Sequence, residues 1–209
     1  MVDEKLINEA IQYITELFKD NSDGHDLQHT MRVYRNAMAI CDAYPAADRE
    51  IVAVAALLHD ADDHKLFGTF NNENARKFLE SHGFEADKIE EICEIINAVS
   101  FSKNKGLTPE TIEGCIVQDA DRLDALGAIG IARTFAYGGR HGRSLEESIE
   151  HFYEKLLLLR DEMNTPEAKA RADERHAFIE QYIEELRQEM YSQSPEKTLA
   201  DTGSENEEL

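Results

Sequence analysis

The chain reads as all-α, and three observations carry that reading. Apolar residues recur at the helical spacing of three and four along nearly its whole length. No segment alternates in the manner of a half-buried strand, and no turn pair marks a hairpin. Prolines and short polar residues stand where helices would begin.

Leu6, Ile7, Ala10, Ile11, Ile14 and Leu17 share one face of a helix over 3–19. Asp26 is placed to cap a second, running through Ile40, and Pro45 and Asp48 precede a third over 49–59. The same period predicts helices over 72–82, 86–98, 109–137 (with room for a break), 145–161 and 167–190. Pro109 and Pro166 stand where a first turn would start, the position at which a missing N–H costs nothing. Residues 1–190 read as a single domain and 191–209 as an acidic tail. From Ser192 onward the chain is rich in Ser and Glu with almost nothing apolar to bury, which predicts disorder.

Composition narrows the function. With 42% apolar residues the chain can bury a core, yet no run reaches the roughly 18 uncharged apolar residues of a membrane span. The net charge of −21 repels nucleic acid polymers and anionic lipid surfaces. Met-Val-Asp-Glu-Lys is no secretory signal, so a cytoplasmic location is expected. Cys41, Cys93 and Cys115 are far apart without a CxxC pair, and read as buried thiols of a reducing compartment. A monomer and a homodimer are both compatible with these features.

One stretch departs from the acidic background. Ala125 to Leu145 contains no Asp or Glu, although acids make up 43 of 209 residues. It holds Arg133, Arg140, His141 and Arg143 and five of the eleven glycines: Gly127, Gly130, Gly138, Gly139 and Gly142. Such an island suits a phosphate site; it also suits a tight helix junction in which glycine serves packing.

The residues with the clearest chemistry are His29, the pair His59-Asp60, and an acid of the 117–127 segment. Val52, Ala55, Ala56 and His59 recur on one stripe, so His59 faces the core at the end of an apolar helix. A buried His beside a carboxylate needs a partner: a divalent cation would serve, and so would a hydrogen-bonded core pair. His29 lies on the preceding helix with Val33, Asn36 and Ile40. Asp121 borders the stripe Ile116, Ala120, Leu123 and Gly127, with Asp119 and Asp124 as competitors that spacing does not separate.

The order His29, His59-Asp60, Asp121 resembles the H…HD…D signature of the HD superfamily of metal-dependent phosphohydrolases. The flanking text His-Thr-Met-Arg-Val, Ala-Leu-Leu-His-Asp and Ala-Asp-Arg-Leu is similar too, and the resemblance spans about residues 22–180. The segment from Asp119 to Phe135 looks like the YedJ/YpgQ-like bacterial branch. The resemblance selects Asp121 as the fourth ligand. It implies a helical HD bundle with the ligands in its interior, one divalent ion, and hydrolysis of a small phosphorylated substrate. For the YpgQ-like branch that means a nucleoside triphosphate cut to monophosphate and pyrophosphate. Other HD nucleotide hydrolases (5′-nucleotidase, cyclic-nucleotide phosphodiesterase, alarmone hydrolase) and a non-catalytic nucleotide-binding relative carry the same ligands.

A mixed nitrogen and oxygen donor set favours Mn²⁺, with Fe²⁺, Co²⁺ or Ni²⁺ as alternatives; Mg²⁺ suits two imidazoles less well. By the same resemblance Asp63, four residues after His59, orients or deprotonates the attacking water, although a loop carboxylate there could equally cap the next helix. Lys65 is a candidate contact to phosphate. Arg122, Arg133, Arg140, Arg143 and Lys155 are candidates to neutralise a polyphosphate, with a structural pair to Asp119 as the alternative for Arg122. Tyr137 and Phe135 could stack on a base or pack in the core. Arg171 and Arg175 read as surface ion-pair residues on the last helix, and His151 and His176 as surface residues. His25 is a candidate support for the site; His64 and His82 fit no ligand pattern.

Overall fold

The structure, a computed structural model, describes residues 2–19, 27–64, 66–100 and 104–192. Among the described residues the chain forms nine α-helices, one 3-10 segment and no strand. The sequence-predicted positions Asp26, His25, Lys65 and 193–209 lie outside the described residues.

Helix α1 (Glu4–Leu17) is capped by Asp3, whose carboxylate accepts from the Lys5 N–H, and buries Leu6, Ile7, Ala10 and Ile14. Helix α2 (Leu27–Cys41) buries His29, Val33, Ala37 and Ile40. Helix α3 (Arg49–Leu58) is the centre of the fold: every residue from Ile51 to Leu58 is buried, so it is apolar on all sides rather than along a stripe. It packs against α1, α2, α5 (Ala86–Val99) and α6 (Ile112–Asp124). Fully burying a single leucine such as Leu57 or Leu58 contributes about 1.5–3 kcal/mol. Helix α2 lies in turn on both α3 and α6. The three elements that carry the sequence-predicted metal ligands are therefore mutual neighbours through the core.

Outside this centre, α4 (Glu73–Ser81) leans on α5, and α7 (Gly127–Arg140) packs with α8 (Leu145–Glu154) and α9 (Pro166–Tyr191). No described helix is long and apolar enough to cross a membrane.

The helix starting at Pro109 is a misreading. Helix α6 begins at Ile112, because Thr111 takes the capping position and accepts from the Gly114 N–H at 3.1 Å. The 109–137 segment breaks at Ala125–Leu126, where Gly127 adopts φ +72° and opens α7. Helix α7 continues through Gly138 and Gly139 to Arg140; a Cβ at 138 would stand 2.5 Å from Ser148 Oγ, so that glycine sets the α7–α8 approach. The 145–161 segment stays α-helical only to Glu154, then tightens into a 3-10 segment, Leu156–Glu162. Pro166 does occupy the first turn of α9, capped by Thr165.

Candidate metal centre

His59 is the residue at which α3 ends, so the core helix delivers its imidazole to the rim of the buried centre with Asp60 directly behind it. Its Nδ1 lies 2.9 Å from the Ala56 carbonyl, which holds the proton on Nδ1 and turns the Nε2 lone pair outward. His29 on α2 is fixed in the same sense. Its Nδ1 lies 2.8 Å from Asp124 Oδ2, and its Nε2 meets His59 Nε2 at 3.2 Å.

The carboxylates complete the group. Asp60 Oδ2 stands 3.4 Å from His29 Nε2 and 3.3 Å from His59 Nε2. Asp121 Oδ1 stands 3.4 Å from His29 Nε2 and 3.8 Å from His59 Nε2. One donor atom from each of His29, His59 and Asp121 falls within 4.8 Å of the others. Bonds of about 2.1 Å at near-right angles put neighbouring donors about 3 Å apart, so this spacing fits one shared ion.

Electrostatics point the same way. With both imidazoles neutral and protonated on Nδ1, two Nε2 lone pairs face each other at 3.2 Å and repel; a proton between them or a metal cation beside them removes the repulsion. Burial alone would push the His29 imidazole down in pKa; hydrogen bonds to Asp121, Asp124 and Asp60 outweigh it and raise it well above its ordinary value. His59 is raised too, burial being outweighed by Asp60. Asp121 is lowered, its burial outweighed by the two imidazoles. The pocket thus favours positive charge, and a divalent ion supplies it with both imidazoles neutral.

The structure separates the three acids of α6 that spacing left open. Asp121 faces the imidazoles. Asp119 turns the other way and accepts from the Asn164 and Thr165 backbone N–H groups and the Thr165 hydroxyl, tying α6 to the start of α9; burial raises its pKa despite those bonds. Asp124 is buried behind His29. There it also accepts from Arg32 Nε at 2.6 Å and from Arg133 Nη1 at 2.7 Å. Burial is outweighed by His29 and Arg32, and the Asp124 carboxyl falls well below the usual carboxylate range. Arg133 Nη1 is also 3.3 Å from His29 Nδ1, but the shorter contact to Asp124 is the one that suits a donor.

The other candidate residues scatter. Asp63 sits in the turn after the dyad with a side chain 14% exposed, its Oδ1 3.8 Å from His64 Nδ1. Its neighbour Asp62 is structural, accepting from the Asn74 and Ala75 N–H groups at the start of α4. Arg122 departs from its expected role. It is 2% exposed and donates to the Glu162 carbonyl, with the Glu162 carboxylate at 3.3 Å. That guanidinium anchors the 3-10 segment and is not presented to a ligand. Arg133 lies at the centre's edge. Tyr137 and Arg140, further along α7, are exposed; Tyr137 stacks on His141 with centroids 3.9 Å apart, and Arg143 lies over its ring at 5.0 Å. Phe135 packs between Phe152 and Tyr182 in the core. Lys155 ends α8. His176, expected at the surface, has a side chain only 12% exposed, and His151 is half-buried. Arg175 also departs from a surface reading: it donates to the Leu123 carbonyl and is half-buried. Sequence reasoning missed Arg32 and the supporting role of Asp124. The available signal was spacing: Arg32 follows His29 by three residues and Asp124 follows Asp121 by three.

A buried cluster of two imidazoles and two carboxylates, drawn from three packed helices and the turn after one of them, defines a class. The HD domain model matches residues 26–126, and the chain belongs to that family. Its relatives place it further, in the YpgQ-like branch. It is 38% identical over 186 residues to the uncharacterised protein YpgQ of Bacillus subtilis (strain 168), covering 85% of this chain and 90% of YpgQ. It is similar to an HD-superfamily hydrolase from Bacillus thuringiensis, with 38% identity, TM-score 0.77, and 91% and 99% of the two chains covered. It is also similar to Bacillus subtilis YpgQ solved in complex with ADP, with 36% identity, TM-score 0.76, and 88% and 95% covered.

Proposed function

We propose that this chain hydrolyses nucleoside triphosphates to a nucleoside monophosphate and pyrophosphate, using one divalent ion held by His29, His59, Asp60 and Asp121. The observation that carries the reading is the convergence of both Nε2 atoms with Asp60 Oδ2 and Asp121 Oδ1. The donor set suits Mn²⁺, then Fe²⁺, Co²⁺ or Ni²⁺, and Mg²⁺ less well. The ADP bound to the similar YpgQ supports a nucleotide as ligand.

Such an ion polarises a phosphoryl oxygen and lowers the pKa of water toward neutrality. The chain's own groups do the rest. Asp63, four residues past His59 and mostly shielded, orients the attacking water and takes its proton. Arg133 at the centre's edge and Arg140 further along α7 meet phosphate charge, with Lys65 as a further contact. Tyr137, flanked by Arg143, offers a ring to the base. Arg122 has no place in this scheme, since its guanidinium is spent on Glu162.

The test is product analysis. Full-length protein loaded with Mn²⁺ is incubated with a nucleotide panel and the products are identified by mass spectrometry. Monophosphate and pyrophosphate are expected. Orthophosphate alone, or no turnover, overturns the reaction. H59A and D60A are expected to lose both bound metal and turnover; unchanged metal content in either would overturn the ligand set.

A further inference from the structure

Helix α4 begins without a cap from the residue before it. Asn72 adopts φ +55° and makes no side-chain bond to the helix; its Nδ2 donates to the Cys93 carbonyl of α5 at 3.4 Å instead. The first N–H groups of a helix have no partner inside it. Here those of Asn74 and Ala75 donate to Asp62, one to Oδ1 and one to Oδ2, both at 3.0 Å. The cap thus arrives from twelve residues upstream, out of the turn that follows His59-Asp60. A carboxylate is the side chain that a helix N-terminus favours most by charge.

Asn74 returns the bond. Its Nδ2 donates to the Ala61 carbonyl at 2.8 Å, and Ala61 is fully buried. Both residues between Asp60 and Asp63 are therefore gripped by the start of one helix, Ala61 through its carbonyl and Asp62 through its carboxylate. The Asp63 N–H in turn donates to the Asp60 carbonyl at 3.1 Å, which ties the two flanking acids to each other. The anchor itself is firm. Tyr13 of α1 donates to the Asn74 carbonyl at 2.9 Å and sets its ring 5.2 Å from that of Phe78, and Phe78 and Leu79 of α4 are buried in the core. Position matters because Asp60 Oδ2 is one of the converging atoms, 3.4 and 3.3 Å from the two Nε2 atoms, and it lies past the end of α3, where no helical ladder holds the backbone.

We propose that Asp62 and Asn74 are positioning residues: they clasp the turn after α3 to the start of α4, and so set where Asp60 meets the ion and where Asp63 meets the water. The clasp deepens the hydrolase reading and rests on it for the roles of Asp60 and Asp63. Asp62 and Asn74 give no atom to the centre. Loss of the partner that orients a ligating group costs about 10–100-fold in metal affinity, and a displacement of about 1 Å in a reacting group costs on the order of 100-fold in rate.

The experiment compares full-length D62A, D62N, N74A and N74D with the unaltered chain. Mn²⁺ affinity is measured by chelator competition, kcat and KM for a nucleoside triphosphate at saturating Mn²⁺, and melting by circular dichroism. D48A is the control, since it removes a cap from α3 at the end away from His59. D62A and N74A should weaken Mn²⁺ by about 10–100-fold and lower kcat by up to about 100-fold, with KM far less affected. D62N should fall between, because its amide oxygen still accepts one of the two N–H groups. N74D separates geometry from charge. It adds an acid beside the turn, which would tighten a cation if charge alone mattered, but a carboxylate cannot donate to the Ala61 carbonyl, so the clasp predicts weaker Mn²⁺. D48A should lower the melting temperature and leave Mn²⁺ affinity and kcat unaltered. Unaltered Mn²⁺ affinity and kcat in folded D62N and N74D overturn the clasp. So does tighter Mn²⁺ in N74D, and so do losses in D48A as large as those in D62A. Mn²⁺ affinity is read without substrate, so the two readings fail separately: variants that lose Mn²⁺ in a chain that releases no pyrophosphate keep the clasp and end the reaction, and pyrophosphate release untouched by D62A and N74D does the opposite.

Discussion

Asp124→Asn isolates what the second carboxylate of α6 does. Asp124 is 2% exposed and accepts from His29 Nδ1 at 2.8 Å, from two nitrogens of Arg32 at 2.6 and 3.0 Å, and from Arg133 at 2.7 Å. An amide of the same shape offers one acceptor oxygen to these donors and turns an N–H₂ toward the others. His29 then loses the anion that keeps its proton on Nδ1, and the competing tautomer places a proton on Nε2, where the ion should bind. Losing a partner of this kind behind a metal-ligating histidine costs about 10–100-fold in metal affinity. Stability falls as well. Removing one side of a buried pair costs about 3–5 kcal/mol, and the lower end applies because both arginines keep partial contact with water. The assay is Mn²⁺ binding by chelator competition alongside urea unfolding of the metal-free protein. Unaltered Mn²⁺ affinity in D124N would refute the claim that this carboxylate orients His29. A lost affinity with unaltered metal-free stability would refute the claim that it anchors α2 to α6 and α7.

Three further outcomes test the frame. D48A should cost about 1 kcal/mol, since Asp48 accepts from the Glu50 and Ile51 N–H groups at the start of α3. Burial opposes the Asp48 charge but those N–H groups and Lys88 outweigh it, so its carboxyl lies below its ordinary value. Its contribution is therefore present above the unfolded carboxylate pKa of about 3.9 and is lost as pH falls through the lower folded value; D48N should flatten that acid limb in melts. Tyr44 is pushed up to about 12, by burial and then by its hydrogen bond to Glu167. The stability from its neutral form is complete below about pH 10 and disappears as pH rises toward the folded value, so Y44F should shift alkaline unfolding measured by circular dichroism to higher pH. G130A should destabilise by about 1–3 kcal/mol in urea, because a Cβ there runs into the Ala125 backbone carbonyl, which the turn between α6 and α7 holds in place. A neutral G130A would mean that turn is soft.

The helices were legible where each carries its signal locally: Ile51 to Leu58 announce a buried helix, Asp48 precedes α3 and caps it, and Pro166 starts α9. The site was half legible for a related reason. His59 continues the α3 stripe, so its inward direction follows from the residues before it. Arg122 could not be read in this way. Its neighbours in sequence include Asp121 and a glycine-rich basic island, which suggests an anion, but its guanidinium answers to Glu162, forty residues on. Which groups a long side chain meets is decided by the packing of distant elements, and no local pattern encodes it.

The acids of α6 show how far local geometry does reach. At about 100° per residue, Asp119 and Asp121 point about 160° apart, while Asp121 and Asp124 lie about 60° apart. One helix face cannot serve both members of the first pair, so once His29 and His59 are placed on one side of α6, Asp119 must look toward α9, where it is found. Helical geometry leaves Asp121 and Asp124 both near His29. What separates them is the ring itself: an imidazole has two nitrogens on different edges, and the two carboxylates take one each, Asp121 at 3.4 Å from Nε2 and Asp124 at 2.8 Å from Nδ1. Arg32 and Arg133 then distinguish the roles by charge. A carboxylate bound to two guanidiniums is already neutralised and has little left to offer an ion, so the pole of the pair that faces the imidazole Nε2 atoms and can serve an ion is Asp121.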